Sequence, residues 1–229
     1  MKRRGILITL EGIDGTGKST QHRLLVRHLR SEGYKVVSTR EPGGTAVGER
    51  VRNILLASRT GELAPLAELA LIYAARAQHL EEVVRPALAR GEIVVSDRFN
   101  DASIAYQGYG RKLGVAAVRA FDRIVCGHTQ ADLTIVLDLD PRVALGRAQD
   151  REIRRNSTRG RFEAAGLEFH QRVRAGYLAI ARREQRRVKV VKADRPVAEV
   201  QAEIREILNA FLTQHPKARG ARNAGFAIR

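Results

Sequence analysis

Gly12-Ile13-Asp14-Gly15-Thr16-Gly17-Lys18-Ser19 decides the fold of this 229-residue chain, because the apolar run Ile6-Leu7-Ile8-Thr9-Leu10 precedes it and a helical pattern follows. That context turns the spacing of a glycine-rich phosphate loop into chemistry. The glycines let successive backbone N–H groups converge on a nucleoside triphosphate, Lys18 brings a point charge to the outer phosphates, and the Ser19 hydroxyl suits Mg²⁺. Gly12, Ile13, Asp14, Gly15, Thr16, Gly17, Lys18, Ser19 and Thr20 are thus the expected ATP-binding residues. The bland alternative is a tight turn with Lys18 as an ordinary surface lysine. Leu24, Leu25, Val26 and Leu29, set among Gln, His and Arg, carry a helix up to Gly33, a C-terminal cap.

Outward from the loop, Lys35–Thr39, Ile93–Ser96, Leu133–Leu139 and Val188–Val191 read as further strands. Helical composition fills the intervals: Ser19–Leu29, Ala46–Ala57, Ala64–Ala89 with Pro86 bending or closing a turn, Ala116–Cys126, Pro141–Arg151, Phe162–Glu184 and Val197–Leu212. The alternation predicts an α/β fold, a parallel sheet of about five strands with helices on both faces. Residues 1–212 are expected to form one domain, and 213–229, basic and without apolar periodicity, a disordered tail.

Lysine and arginine total 41 against 25 acidic residues, a formal charge of +16. Such an excess fits nucleic acid, small anionic substrates or merely an arginine-rich composition. Aromatic residues do not interleave with a basic face, so no nucleic-acid partner is expected. The lone Cys126 excludes an internal disulfide and points to a reducing compartment, which makes the cytoplasm the expected location. Glu11 cuts short the apolar stretch behind Met1-Lys2-Arg3-Arg4, and no run reaches the roughly 18 apolar residues of a membrane span. No membrane partner is expected.

Ligands of a doubly wound sheet bind beyond the carboxyl ends of its strands. There stand Arg40-Glu41-Pro42-Gly43-Gly44-Thr45, Asp97-Arg98-Phe99 and Asp140-Pro141-Arg142. Asp97 is the preferred Mg²⁺ ligand, with Asp138 its rival, and Arg98 brings a planar fork suited to an acceptor phosphate. Arg52 follows the turn closely enough to reach the cleft. Tyr73 and Arg76, three residues apart, share a helix face and suit a nucleobase, whereas the alternative puts Tyr73 in the core. Ser103, Tyr106 and Gln107 fall on a short glycine-ended segment, and Gln107 both donates and accepts. Arg147, Arg151, Arg154, Arg155, Arg159 and Arg161 form an arginine-bearing stretch, expected to be a mobile lid over about 147–165, with Arg147 and Arg151 on one face.

Together these residues resemble the thymidylate kinase family, nucleoside monophosphate kinases of the phosphate-loop class, over about residues 5–212. Glu11 to Thr20, Thr39 to Thr45, Tyr73-Ala74-Ala75-Arg76, Asp97-Arg98-Phe99, Ser103 and Tyr106-Gln107-Gly108 carry the resemblance. It implies transfer of the terminal phosphoryl group of ATP to dTMP with Mg²⁺, the metal held by Ser19, Asp97 and Asp14. By the same resemblance Asp14 stands near the sugar 3′-hydroxyl, Tyr73 stacks on thymine in place of the usual Phe, and Arg76 reaches the thymine oxygen. Ser103, Tyr106 and Gln107 line the base pocket, Arg40, Arg52 and Arg98 surround the monophosphate, and Pro42, often preceded by a cis bond, shapes it. Arg147 belongs to the ATP side, as does Lys192-Ala193-Asp194-Arg195-Pro196. The phosphate loop carries no arginine, so the lid must supply the catalytic one: Arg161 first, within Arg161-Phe162-Glu163, then Arg151. Gly160 replaces the usual Asp there. Lys18, Arg98 and Asp14 complete the expected catalytic set, and the family is commonly homodimeric.

Overall fold

A computed structural model describes residues 4–56, 63–155, 162 and 165–214, with only the backbone of Glu152, Arg154 and Arg155. Five strands form one parallel sheet: β1 (Ile6–Glu11), β2 (Val36–Arg40), β3 (Ile93–Asp97), β4 (Leu133–Asp138) and β5 (Val188–Lys192), in the order β2-β3-β1-β4-β5. Every strand lies within one residue of its expected limits at each end. All six residues of β1 are buried, and since successive side chains point to opposite faces, both faces of the sheet are covered at its centre. The register sets Arg40 beside Asp97 and Asp97 beside Leu10, so the carboxyl ends of three strands form one rim.

Helix α1 (Lys18–Ser31) ends as expected at Gly33, whose φ of 83° is left-handed. Helix α2 (Ala46–Leu56) is followed by α3 (Pro65–His79), a π-helical turn (Leu80–Val84) and α4 (Arg85–Ala89). The single long helix expected over 64–89 therefore widens by a residue per turn just before Pro86, whose missing N–H the looser turn accommodates. After β3 come α5 (Asn100–Ser103) and a second π-helical segment, Ile104–Gly110, then α6 (Val115–Val125).

Helix α7 (Pro141–Arg155) carries the lid arginines as far as Arg155 on a continuous helix, four residues beyond its expected end. Helix α8 (Leu167–Arg183) starts later than the expected Phe162, because Gly166 at φ 85° interrupts the chain. Helix α9 (Val197–Gln214) passes the expected domain limit by two residues, while the tail from 215 on and most of the lid beyond Arg155 lie outside the described residues. Cys126 is fully buried at the end of α6, and burial pushes its thiol pKa well up.

Candidate active site

Glycine is obligatory in the loop joining β1 to α1. A Cβ on Gly12 would lie 2.5 Å from the Leu137 carbonyl oxygen and one on Gly15 1.9 Å from that of Ala144, and both residues have positive φ. The Thr16 hydroxyl and Lys18 Nζ both donate to the Ile13 carbonyl, at 2.9 and 2.8 Å, which holds the loop curled over the start of α1. Burial and then Arg98 lower the pKa of Lys18 to about 8, against the opposing pull of Asp14 and Asp97. It stands 3.7 Å from Asp14 Oδ1.

The loop opens onto a cavity of about 670 Å³ whose floor is the strand rim. Of the expected residues, Asp14, Gly15, Gly17, Lys18, Ser19, Thr20, Arg40, Pro42, Arg52, Arg76, Asp97, Arg98, Ser103, Tyr106, Gln107 and Arg151 line it. Gly12, Ile13 and Thr16 shape the loop from behind. Arg147 instead donates to the Ala193 carbonyl at 3.1 Å, fixing the 192–196 loop, and Arg161 lies outside the described residues. Six lining side chains are basic (Lys18, Arg40, Arg52, Arg76, Arg98, Arg151) and three acidic (Asp14, Glu41, Asp97), so the cavity favours multiply charged anions.

Arg98 sits at φ 74°, a left-handed conformation unusual for a non-glycine residue, immediately after β3. Its guanidinium donates to Asp14 Oδ1 at 2.7 Å, the Tyr106 hydroxyl at 2.9 Å, the Tyr177 hydroxyl at 3.1 Å and the Gly12 carbonyl at 2.9 Å, with the Tyr106 ring 4.7 Å away. Burial would raise the Asp14 pKa, but Arg98 and then Lys18 hold it well below the carboxylate range. The Tyr177 hydroxyl donates in turn to Glu11, 2.8 Å away, whose other oxygen accepts the Phe99 N–H at the same distance. Burial, helped by the charge of Asp101, pushes Glu11 up to about 8.

Ser19 Oγ donates to Asp97 Oδ2 at 3.3 Å, and Asp97 Oδ1 is buried with no protein partner. An orphaned carboxylate oxygen beside a hydroxyl at the phosphate loop fits Mg²⁺, a hard ion that takes one or two protein oxygens and fills its shell with water and phosphate. Asp14, the third expected donor, already receives Arg98 and Tyr106. The rival Asp138 is closed off by Arg174, which grips both its oxygens at 2.6 and 2.9 Å.

Tyr73 does not line the cavity, which corrects its reading as the ring that stacks on the base. It is 1% exposed, lies 5.4 Å from the Phe121 ring, donates to the Val118 carbonyl at 3.3 Å, and has the Arg76 guanidinium 4.5 Å from its own ring. Tyr73 and Arg76 do share a face, but Tyr73 supports the arginine from behind. Ile72, four residues before Arg76, is the side chain that reaches the cavity. Arg76 is held by Glu41 at 2.6 Å, the Phe99 carbonyl at 3.1 Å and Ser103 at 3.0 Å, and its Nη1 is buried without a protein acceptor. Burial would raise the Glu41 pKa, yet Arg76 and His79 hold it down. The peptide before Pro42 is cis, and Arg52 donates to the Pro42 carbonyl at 2.9 Å.

Sequence reading missed Glu68, Ile72 and Tyr177 and gave Glu11 and Glu41 no role in the site. Glu68, Ile72 and Arg76 were detectable as a four-residue ladder on one helix face.

The thymidylate kinase family model matches residues 10–204. A thymidylate kinase from Pseudomonas fluorescens is 47% identical over 219 residues, 94% of this chain and 99% of that one. The thymidylate kinase of Desulfovibrio desulfuricans is 44% identical over 209 residues, 90% of this chain and 96% of the relative. The crystal structure of thymidylate kinase from Ehrlichia chaffeensis superposes with a TM-score of 0.72 at 33% identity, covering 90% of this chain and 99% of that one. A phosphate loop, an arginine-rich cavity and these similarities over nearly the whole chain converge: the protein belongs to the thymidylate kinase family.

Proposed function

We infer that the cavity is where this chain transfers the terminal phosphoryl group of ATP to dTMP, giving dTDP and ADP. The observation that carries the reading is the continuity of one cavity from the phosphate loop at Asp14–Thr20 to the wall made by Arg76, Ser103 and Gln107. It offers a triphosphate site and a base-sized polar wall in one space.

A phosphate monoester is largely dianionic at neutral pH, with a second pKa of about 6, so its attacking oxygen needs no general base. What the reaction needs is alignment of two anions and neutralisation of the charge that builds between them. Lys18 supports this on the donor side, and Arg40, Arg52 and Arg98 on the acceptor side. Asp14, oriented by Arg98 and Tyr106, is placed to accept from a sugar hydroxyl. Ser19 and Asp97 would hold Mg²⁺, which neutralises phosphate charge when bound. The remaining positive charge is assigned first to Arg161 and second to Arg151, which is exposed on the cavity rim. Arg147 would act on the ATP side through the 192–196 loop.

The reading extends to a cytoplasmic homodimer. A buried lone thiol supports a reducing compartment, and the exposed apolar side chains Val47, Ile54 and Leu66 on α2 and α3 support a self-association face.

The test is ADP release from MgATP with dTMP, dUMP, dCMP or no acceptor. Release with dTMP far above the acceptor-free rate is expected; its absence would overturn the reading. In the same assay Arg161→Ala should lower kcat far more than it weakens dTMP binding.

A further inference from the structure

A wall that distinguishes bases must present its donors and acceptors in a fixed order, and a glutamine side chain can present either. Gln107 is 1% exposed and lies on the π-helical segment 104–110. Its Nε2 donates to Glu68 Oε1 at 2.8 Å. Turning the amide over would set its carbonyl oxygen against a carboxylate, acceptor facing acceptor, and leave a buried amide N–H without that partner. Glu68 is fully buried on α3, and Arg111 holds it, with Nε 3.3 and 3.2 Å from its two oxygens and Nη2 3.0 Å from Oε2. Arg111 in turn lies 4.8 Å from the Phe169 ring centre, which limits its swing.

We propose that Glu68, fixed by Arg111, is a specificity-positioning residue: it locks the Gln107 amide so that only its oxygen faces the base. This rests on the reading of the cavity as the dTMP site. The same wall carries Arg76, whose Nη1 is a buried donor with no protein acceptor. Donor and acceptor then match the 4-oxygen and the N3–H of a thymine or uracil. Cytosine presents the reverse, a 4-amino donor and an N3 acceptor, and meets two mismatches. Neither Glu68 nor Arg111 need touch substrate for this to hold.

The experiment is a double-mutant cycle read as the ratio of kcat/KM for dTMP to that for dCMP, with Glu68→Gln and Gln107→Ala singly and combined. A glutamine at 68 accepts either amide orientation of Gln107. Glu68→Gln should therefore lower the ratio about tenfold or more, mainly through the KM for dTMP, as expected when a buried polar group is left misdirected. In the Gln107→Ala background the same change should have almost no further effect on the ratio. Equal losses in both backgrounds would show that Glu68 acts only on the fold and would overturn the proposal. If Gln107→Ala leaves the ratio unchanged, the placement of the base fails, and the proposal with it. Should Glu68→Gln melt below assay temperature, Arg111→Lys, which keeps the charge but loses the fork, enters the same cycle with the same expected outcomes.

Discussion

At the scale of single residues, two buried groups give this protein a measurable dependence on pH. Lys18, lowered to about 8, must be protonated to attract phosphate, and phosphate oxygens favour that protonated form. ATP affinity should therefore hold below about pH 8 and fall as pH rises through it, and binding near pH 8 should take up protons. Calorimetry in buffers of differing ionisation enthalpy reads that uptake directly; a heat independent of buffer would contradict the assignment. Glu11 shifts the other way, from 4.5 to about 8. The folded chain then keeps a proton that the unfolded chain releases, so the contribution of Glu11 is fully present below about 4.5 and lost as pH climbs through 8. Glu11→Gln lacks this loss, and its melting temperature should gain on the parent between pH 5 and pH 8; curves that stay parallel would refute the raised value. The phosphate-loop residues were legible because their spacing is itself the chemistry. Glu11, Glu68 and Tyr177 were not, since their partners stand 88, 39 and 79 positions away and only folding brings them together. Tyr73 was misread because residues three and four apart both share a helix face, and spacing alone does not say which one looks into a cavity.

Elements were easier to read than residues. Apolar runs of five or six residues bounded by glycines and charges left little freedom for the strands, which is why Arg40 and Asp97 could be placed at the rim in advance. The π-helical turns were hidden, because an extra residue per turn is selected by packing and not by propensity. One of them, Ile104–Gly110, lies along α8 so closely that a Cβ on Gly176 would come within 2.9 Å of the Tyr109 ring and one on Gly110 within 2.7 Å of Phe169. Gly176→Ala should therefore destabilise the protein by about 1–3 kcal/mol despite the better helix propensity of alanine. Chemical denaturation measures this, and a stabilised variant would show that the contact is slack. Because Tyr106 and Gln107 ride on the same segment, the KM for dTMP should rise with the loss of stability.

For the molecule as a whole, strand order matters more than any single contact. Placing β1 at the centre puts the phosphate loop between the β2 and β3 side, which the proposed function makes the acceptor half, and the side ending at β5 and the 192–196 loop, which it makes the donor half. Two ligands of like charge can then enter from opposite sides and meet over α1. The self-association face proposed on α2 and α3, with exposed Val47, Ile54 and Leu66, would belong to the acceptor half. Sedimentation should give twice the chain mass of 25.4 kDa, and Ile54→Glu should shift it toward the monomer; a parent that sediments as a single chain would remove that part of the reading. Cys126 adds a practical consequence. With its thiol buried at the end of α6 and poorly ionised, the folded protein is effectively blank toward maleimide dyes. One cysteine introduced at Ile153, exposed on α7 two residues beyond Arg151, would accept a fluorophore at a single known address, so that nucleotide-driven changes near the cavity mouth could be followed by light with the cavity lining unaltered.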